Sequence, residues 1–220
     1  MLSTSLASLE VAAVVRPPAG SKPQQLDLSI NNTALTDYDV GSSHSLATYL
    51  ATLSDAPTLL YGGYLEQRAI YRRSQHFTTD VEVRDIHLGT DLWMPAGTAV
   101  FAPLAGTVHS FTNNEGLGNY GPTIILRHDM PDYSFHTLYG HLSLQTIANL
   151  EVGTPISKGA MIGHLGDQAV NGDYPPHLHF QIIVDMQSNS GDYPGVASMS
   201  QLARMKQNCP DPKLLVPYLR

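Results

Sequence analysis

"PPHLHFQIIV", residues 175–184, is the stretch on which the reading of this chain turns. Successive side chains of a β-strand point to opposite faces. His177 and His179 then share one face, and Leu178, Phe180, Ile182 and Val184 fill the other. Two half-buried histidines that are merely packed and hydrogen-bonded would satisfy such a strand. That plain reading loses ground only if further metal-type ligands reach the same face.

The text around this strand is of one kind from residue 77 to 187. Short β-rich runs ("TAVFA", "GTVHSF", "TIILRH", "YSFHTLYGHL", "TPISKG") recur between Gly, Pro and Asn signals. Strands separated by turns rather than crossover helices predict a mainly β, antiparallel domain. "AGTAVFAPLAGTV" and "VGTPISKGAMIG" echo one another, as related hairpins would. Residues 25–76 form an N-terminal α/β addition: "LDLSI" (26–30) alternates as a short strand. Leu46, Tyr49, Leu50 and Leu53 follow the spacing of an amphipathic helix, which Asp55 and Pro57 end. Residues 1–24 are expected to be a loosely held, flexible arm. Residues 188–220 are a C-terminal extension with a short helix near 199–207 and an extended, surface-lying end.

Composition narrows the function classes. The 220 residues are 42% hydrophobic, enough for a real core. Twelve basic against nineteen acidic residues give a net charge of −7, which leaves no electrostatic footprint for nucleic acid. No stretch approaches the roughly 18 apolar residues of a membrane span. Cys209 is the sole cysteine, so no intrachain disulfide and no cysteine-rich zinc site is expected. The first twenty residues have no basic n-region, and their longest apolar run is "VAAVV", short of a secretory signal. The compartment and the oligomeric state are not legible.

Histidine is the unusual residue, with ten copies against one Trp. In "DIHLGTDLWMPAGT", His87 and Asp91 lie four apart, but Gly89, Thr90 and "MPAG" argue against a helix and place them at a strand end and turn. In "FHTLYGHLS", His141, Tyr139 and Thr137 are expected on one strand face and His136 on the other. Each piece alone reads equally well as a structural pair. Taken together, His87, Asp91 and His179 are two nitrogens and one oxygen, a set suited to catalytic zinc with a fourth position left to water. His141 and His177 then remain beside the metal.

The blocks "HLGTD", "GTAVFAPLAGTV", "TLYGHLS", "VGTPISKGAMIG" and "PPHLHF", in this order from about residue 84 to 182, strongly resemble the lysostaphin-type zinc metallopeptidases. That family mostly cuts stem or cross-bridge peptides of bacterial peptidoglycan. The resemblance implies a small antiparallel sheet with a groove across it and a Zn2+ cofactor. It implies metal ligands at His87, Asp91 and His179, and catalytic histidines at His141 and His177. It also implies a peptide or peptidoglycan-type substrate. Gln181 departs from the family's frequent Glu and is not expected to bind metal, and the loop "LGDQAVNGDYPP" lacks the family's Thr-Gly and Ser-Thr-Gly pattern. Two other readings stand beside an endopeptidase: a zinc hydrolase of an intracellular, non-wall amide, and a non-catalytic metal-holding module. His128 and His164 are expected to pack or cap near turns, and His44, His76, His109 and His136 have no partner spacing. Tyr61, Tyr64 and Tyr120 could border the groove, though core or surface positions are the expectation.

Overall fold

The computed structural model of the chain describes residues 2–53, 58–74, 77 and 82–220. Asp55, Pro57, His76 and the left side of the expected boundary at 76–77 lie outside the described residues.

Twelve strands are described: β1 Gln24–Gln25, β2 Leu60–Gly62, β3 Ile86–His87, β4 Thr90–Trp93, β5 Ala99–Phe101 and β6 Gly106–Asn114. They continue as β7 Gly121–Asp129, β8 Ser134–Gly140, β9 Pro155–Ile156, β10 Met161–His164, β11 His177–Ile183 and β12 Val196–Ala197. The α-helices are α1 Leu2–Ala7, α2 Ser43–Thr52, α3 Leu144–Ile147 and α4 Leu202–Asn208. Eight strands make one sheet in the order β1-β2-β4-β11-β8-β7-β6-β9, with β10-β5 and β12-β3 as separate pairs. Every pairing is antiparallel except β1 with β2. The chain is thus mainly β, as the alternating text predicts.

The period-two pattern of β11 sorts the sheet into two faces. Leu178, Phe180 and Ile182 enter the main core with Leu92, Ile124, Leu126 and Tyr139. On the other face Leu138 and Ile183 join a second cluster with Met205 and Cys209. His177, His179 and Gln181 stand on this second face, because β11 runs antiparallel to β4 and β8 in a register that sets His179 opposite both Asp91 and Gly140.

Several expectations need correction. Residues 1–24 are not a loose arm: Leu6, Val14 and Val15 are fully buried in the main core, and Phe101 donates its N–H to the Val14 carbonyl. Nor does the C-terminal end lie on the surface. A 3-10 turn at Pro212–Leu215 places Leu215 and Val216 in the same core. Short apolar runs beside prolines, Val14-Val15 and Leu215-Val216, do the burying, and neither run carries a strand or helix period. "LDLSI" is not a strand. The strand precedes it at Gln24–Gln25, and the Leu28 N–H bonds the Glu66 carboxylate instead of a neighbouring backbone. The two echoing segments are not independent hairpins; they pair with each other, β5 with β10 and β6 with β9. The helix predicted from Leu46, Tyr49 and Leu50 is present as α2, capped by the Ser42 side chain accepting from Ser45 N–H.

Candidate metal centre

His87 ends β3 and Asp91 sits inside β4, with the turn Leu88-Gly89 folding one back beside the other. Gly89 is required there: a Cβ at this position would lie 2.5 Å from the His179 ring. His177 is held flat against Trp93, its cross-strand neighbour, with ring centroids 4.0 Å apart. His141 reaches the site by a different device. By alternation from Tyr139 it would point to the opposite face, yet it lies one residue past β8 with φ +63. That left-handed turn swings its ring to 4.3 Å from His177. The expected common face of Thr137, Tyr139 and His141 is therefore wrong, because strand parity ends where the strand ends. Thr137 and Tyr139 turn to the main-core side, where they bond one another.

All five residues are buried, none more than 4% exposed. His87 Nε2, His179 Nδ1 and Asp91 Oδ1 form a triangle with sides of 2.9, 3.3 and 3.4 Å. Four donors at 2.0–2.1 Å around a tetrahedral ion would be about 3.3 Å apart. Among the described residues these three are the group of His, Cys, Asp or Glu placed to hold a metal ion. His177 Nε2 lies slightly farther from the same Asp91 oxygen, at 3.8 Å.

Protons within the site are assigned by its outer contacts. A backbone carbonyl only accepts, so an imidazole nitrogen facing one must carry the hydrogen. His87 Nδ1 donates to Gly63 (3.0 Å), His177 Nδ1 to Pro175 (2.8 Å) and His141 Nδ1 to Asn171 (2.8 Å). His179 is turned the other way: its Nε2 donates to Gln181 Oε1 at 2.9 Å. The Gln181 amide is itself oriented, because its NH2 donates to the Pro194 carbonyl at 3.1 Å. Each ring therefore keeps one nitrogen with a bare lone pair. Asp91 Oδ1 is buried with no hydrogen-bond partner, while Oδ2 accepts from Arg68 at 2.5 Å. Two bare nitrogens 2.9 Å apart beside an orphaned carboxylate oxygen repel unless a cation lies among them. The donor set fits a divalent metal.

Electrostatics agree with neutral rings. Burial pushes His87 down to about 3 and His177 to about 4, and burial, with His177 close beside it, pushes His141 well below its ordinary value. Burial acting alone would raise the Asp91 carboxyl, but His87 and Arg68 hold it well below the usual range.

Four neighbours border the five residues, and only Gln181 and Tyr120 among them are weighed in the sequence. Arg68 and the Gly63 carbonyl come from the N-terminal addition and gave no local signal. Gln181 was legible by parity, as the third residue on the face of 177 and 179. Tyr120, expected in core or surface, borders the site with its hydroxyl 3.4 Å from His179 Nε2. His109 and His136, which show no partner spacing in the sequence, meet edge to face at 4.9 Å, away from this centre. The site opens on a cleft lined also by Tyr71, Tyr174 and Tyr193.

Residues 85–190 match the model of Peptidase family M23. Over 99 residues the chain is 35% identical to the peptidoglycan DD-endopeptidase ShyA of Vibrio cholerae, an alignment covering 44% of this chain and 20% of that protein. Over 100 residues it is 33% identical to ShyC of the same organism, covering 45% and 20%. The chain thus spans about a fifth of the length of these curated relatives. The catalytic domain of lysostaphin from Staphylococcus simulans is 28% identical, with 56% of this chain and 80% of that one covered at a TM-score of 0.38.

Proposed function

We propose, from the premise that residues 85–190 are a domain of peptidase family M23, that the protein is a zinc-dependent endopeptidase of peptidoglycan stem or cross-bridge peptides. The observation that carries this reading is the ring of bare imidazole nitrogens around the unpartnered Asp91 Oδ1 at the floor of an open cleft. His87, Asp91 and His179 are the ligands in this reading, and the other two histidines handle protons. The names of the curated relatives support the substrate class.

When bound, zinc supplies Lewis acidity that polarises a scissile carbonyl and makes water acidic near neutral pH. The chain's own residues do the rest. His141 and His177 each present Nε2 without a proton, their Nδ1–H anchored on carbonyls. One imidazole accepts the proton of the attacking water. The other, once its Nε2 has taken a proton from solvent, stabilises the oxyanion or delivers that proton to the leaving amine. Stacking on Trp93 keeps His177 from turning as its charge changes. Help of this kind is typically worth 10²–10⁴-fold. A non-catalytic metal holder has no use for two such rings beside its ligands.

The test is incubation of the purified protein with defined muropeptides, with and without a chelator, and mass spectrometry of the products. Zinc-restored cleavage of a stem or cross-bridge amide is expected. Turnover of other amides with muropeptides left intact would move the substrate away from the wall. Zinc binding without any product would leave only a metal-holding module.

A further inference from the structure

Arg68 lies outside the residues matched to the family, within the N-terminal addition. We propose that it is a positioning residue of the metal centre, fixing Asp91 so that a single carboxylate oxygen faces the histidines. This rests on the reading that His87, Asp91 and His179 hold a divalent ion.

The side chain is 4% exposed, and its contacts define its orientation. Nη1 donates to Asp91 Oδ2 at 2.5 Å and Nε donates to Glu66 Oε2 at 2.5 Å, with the Tyr71 hydroxyl 3.4 Å from Nη1. A guanidinium is a rigid planar fork, so two engaged donors determine where the third lies. Glu66 is held in turn by the Leu28 N–H on its other oxygen. Main-chain bonds lock the segment to β3: Leu65 N–H to the His87 carbonyl, His87 N–H to Glu66, and Arg68 N–H to Asp85. Gly63, at φ +103, closes the arrangement. A Cβ there would lie 1.8 Å from Arg68 Nη2 and 2.9 Å from His87 Nδ1. Only glycine lets the guanidinium and the imidazole approach the same point while its carbonyl orients His87.

The bond to Asp91 is not needed to neutralise Arg68, since Glu66 already does so. What it changes is the carboxylate. With Oδ2 committed to the guanidinium, Asp91 offers Oδ1 alone. A carboxylate free to pivot presents both oxygens and fills the position that a substrate oxygen needs. Arg68 therefore keeps one coordination position open, and the metal centre extends upstream of residue 85.

The test compares full-length wild type with Arg68→Lys and Arg68→Met, each first checked for folding by circular dichroism. Zinc affinity is read by competition with a chromophoric chelator, and coordination by the visible spectrum of the Co2+ form. Loss of an outer-shell partner typically weakens a metal site 10–100-fold. Arg68→Met is expected in that range, with Co2+ bands weakened as the second oxygen enters. Arg68→Lys keeps the charge but loses the fork, and should fall between. A folded Arg68→Met with wild-type zinc affinity and an unchanged Co2+ spectrum overturns the proposal. If that variant fails to fold, an Arg68→Lys protein indistinguishable from wild type in both readouts does the same. Wild type that binds zinc but cuts no muropeptide removes the assigned reaction and leaves this test readable. Wild type that binds neither ion overturns both.

Discussion

Gln181 Oε1 accepts the Nε2 hydrogen of His179 at 2.9 Å, two residues away along β11 on the same face. This one contact selects the tautomer that turns His179 Nδ1, rather than Nε2, towards Asp91. The Gln181 amide cannot reverse without setting its carbonyl oxygen against that of Pro194. Its NH2 also reaches Cys209 Sγ at 3.3 Å, where burial raises the thiol to about 12 and keeps it a neutral structural group.

Replacing Gln181 by Leu removes the acceptor while keeping the bulk of the side chain. His179 then has no acceptor at 2.9 Å to hold its ring, and zinc affinity should fall 10–100-fold in a chelator competition. Gln181→Glu keeps an acceptor at the same place and should bind zinc more tightly than Gln181→Leu. Equal affinities in the two variants would show that the ring is oriented by packing alone.

The four histidine positions should separate into two groups. His87→Ala and His179→Ala are expected to lose zinc and turnover together, because the nucleophile depends on the ion. His141→Ala and His177→Ala should retain stoichiometric zinc and lose about 10²–10⁴-fold in kcat. Metal analysis beside single-turnover rates decides it, and a His179→Ala protein that keeps its full zinc complement ends the ligand assignment.

The architecture was readable where periodicity governs it. β11 obeys alternation, β6 and β7 contain the runs picked out by β-branched and aromatic residues and extend beyond them, and β8 falls inside its run. The His87/Asp91 turn was readable because both donors sit on one short loop. Legibility ended where a single backbone angle or a distant pairing decides the outcome. His141 joins the site through its left-handed φ, which no spacing encodes. Arg68 arrives through main-chain pairing of residues 65–68 with 85–87, and a lone arginine seventeen or more residues away carries no mark of that. Leu6 is a single apolar residue in polar text and Leu215 sits in a short run between prolines, and the two are buried together only once the chain ends meet in the core.

The His141 backbone offers a direct measure of that hidden geometry. An L-residue in the left-handed region costs roughly 1–2 kcal/mol, and glycine escapes the cost. His141→Gly and His141→Ala both remove the ring and its bond to Asn171, so the pair isolates the backbone. Glycine should be the more stable of the two by about 1 kcal/mol in urea denaturation, even though both are inactive. Alanine matching or exceeding glycine would mean that residue 141 does not hold φ +63 in solution.

Acid sensitivity follows from the buried imidazoles, and its sign can be worked out. Burial lowers His128, and burial lowers His136 to about 4, while an unfolded histidine titrates near 6.5. Between those values the unfolded chain binds protons that the folded chain refuses, so stability declines as pH falls. The contribution is complete above about 6.5 and is lost progressively towards 4. His128 is committed as a neutral ring, with Nδ1 donating to the Ala105 carbonyl at 2.9 Å and Nε2 facing Thr137 Oγ1 at 2.7 Å. Because His128 and His136 lie away from the metal centre, their effect persists in zinc-loaded protein. Urea midpoints measured from pH 8 to 4.5 should stay level to about 6.5 and then drop. Each such histidine contributes at most about 1.4 kcal/mol per pH unit. His136→Gln should flatten the slope below 6.5 by up to that amount. Midpoints that hold level to pH 4.5 would mean that these rings accept protons in the folded state as readily as in the unfolded chain.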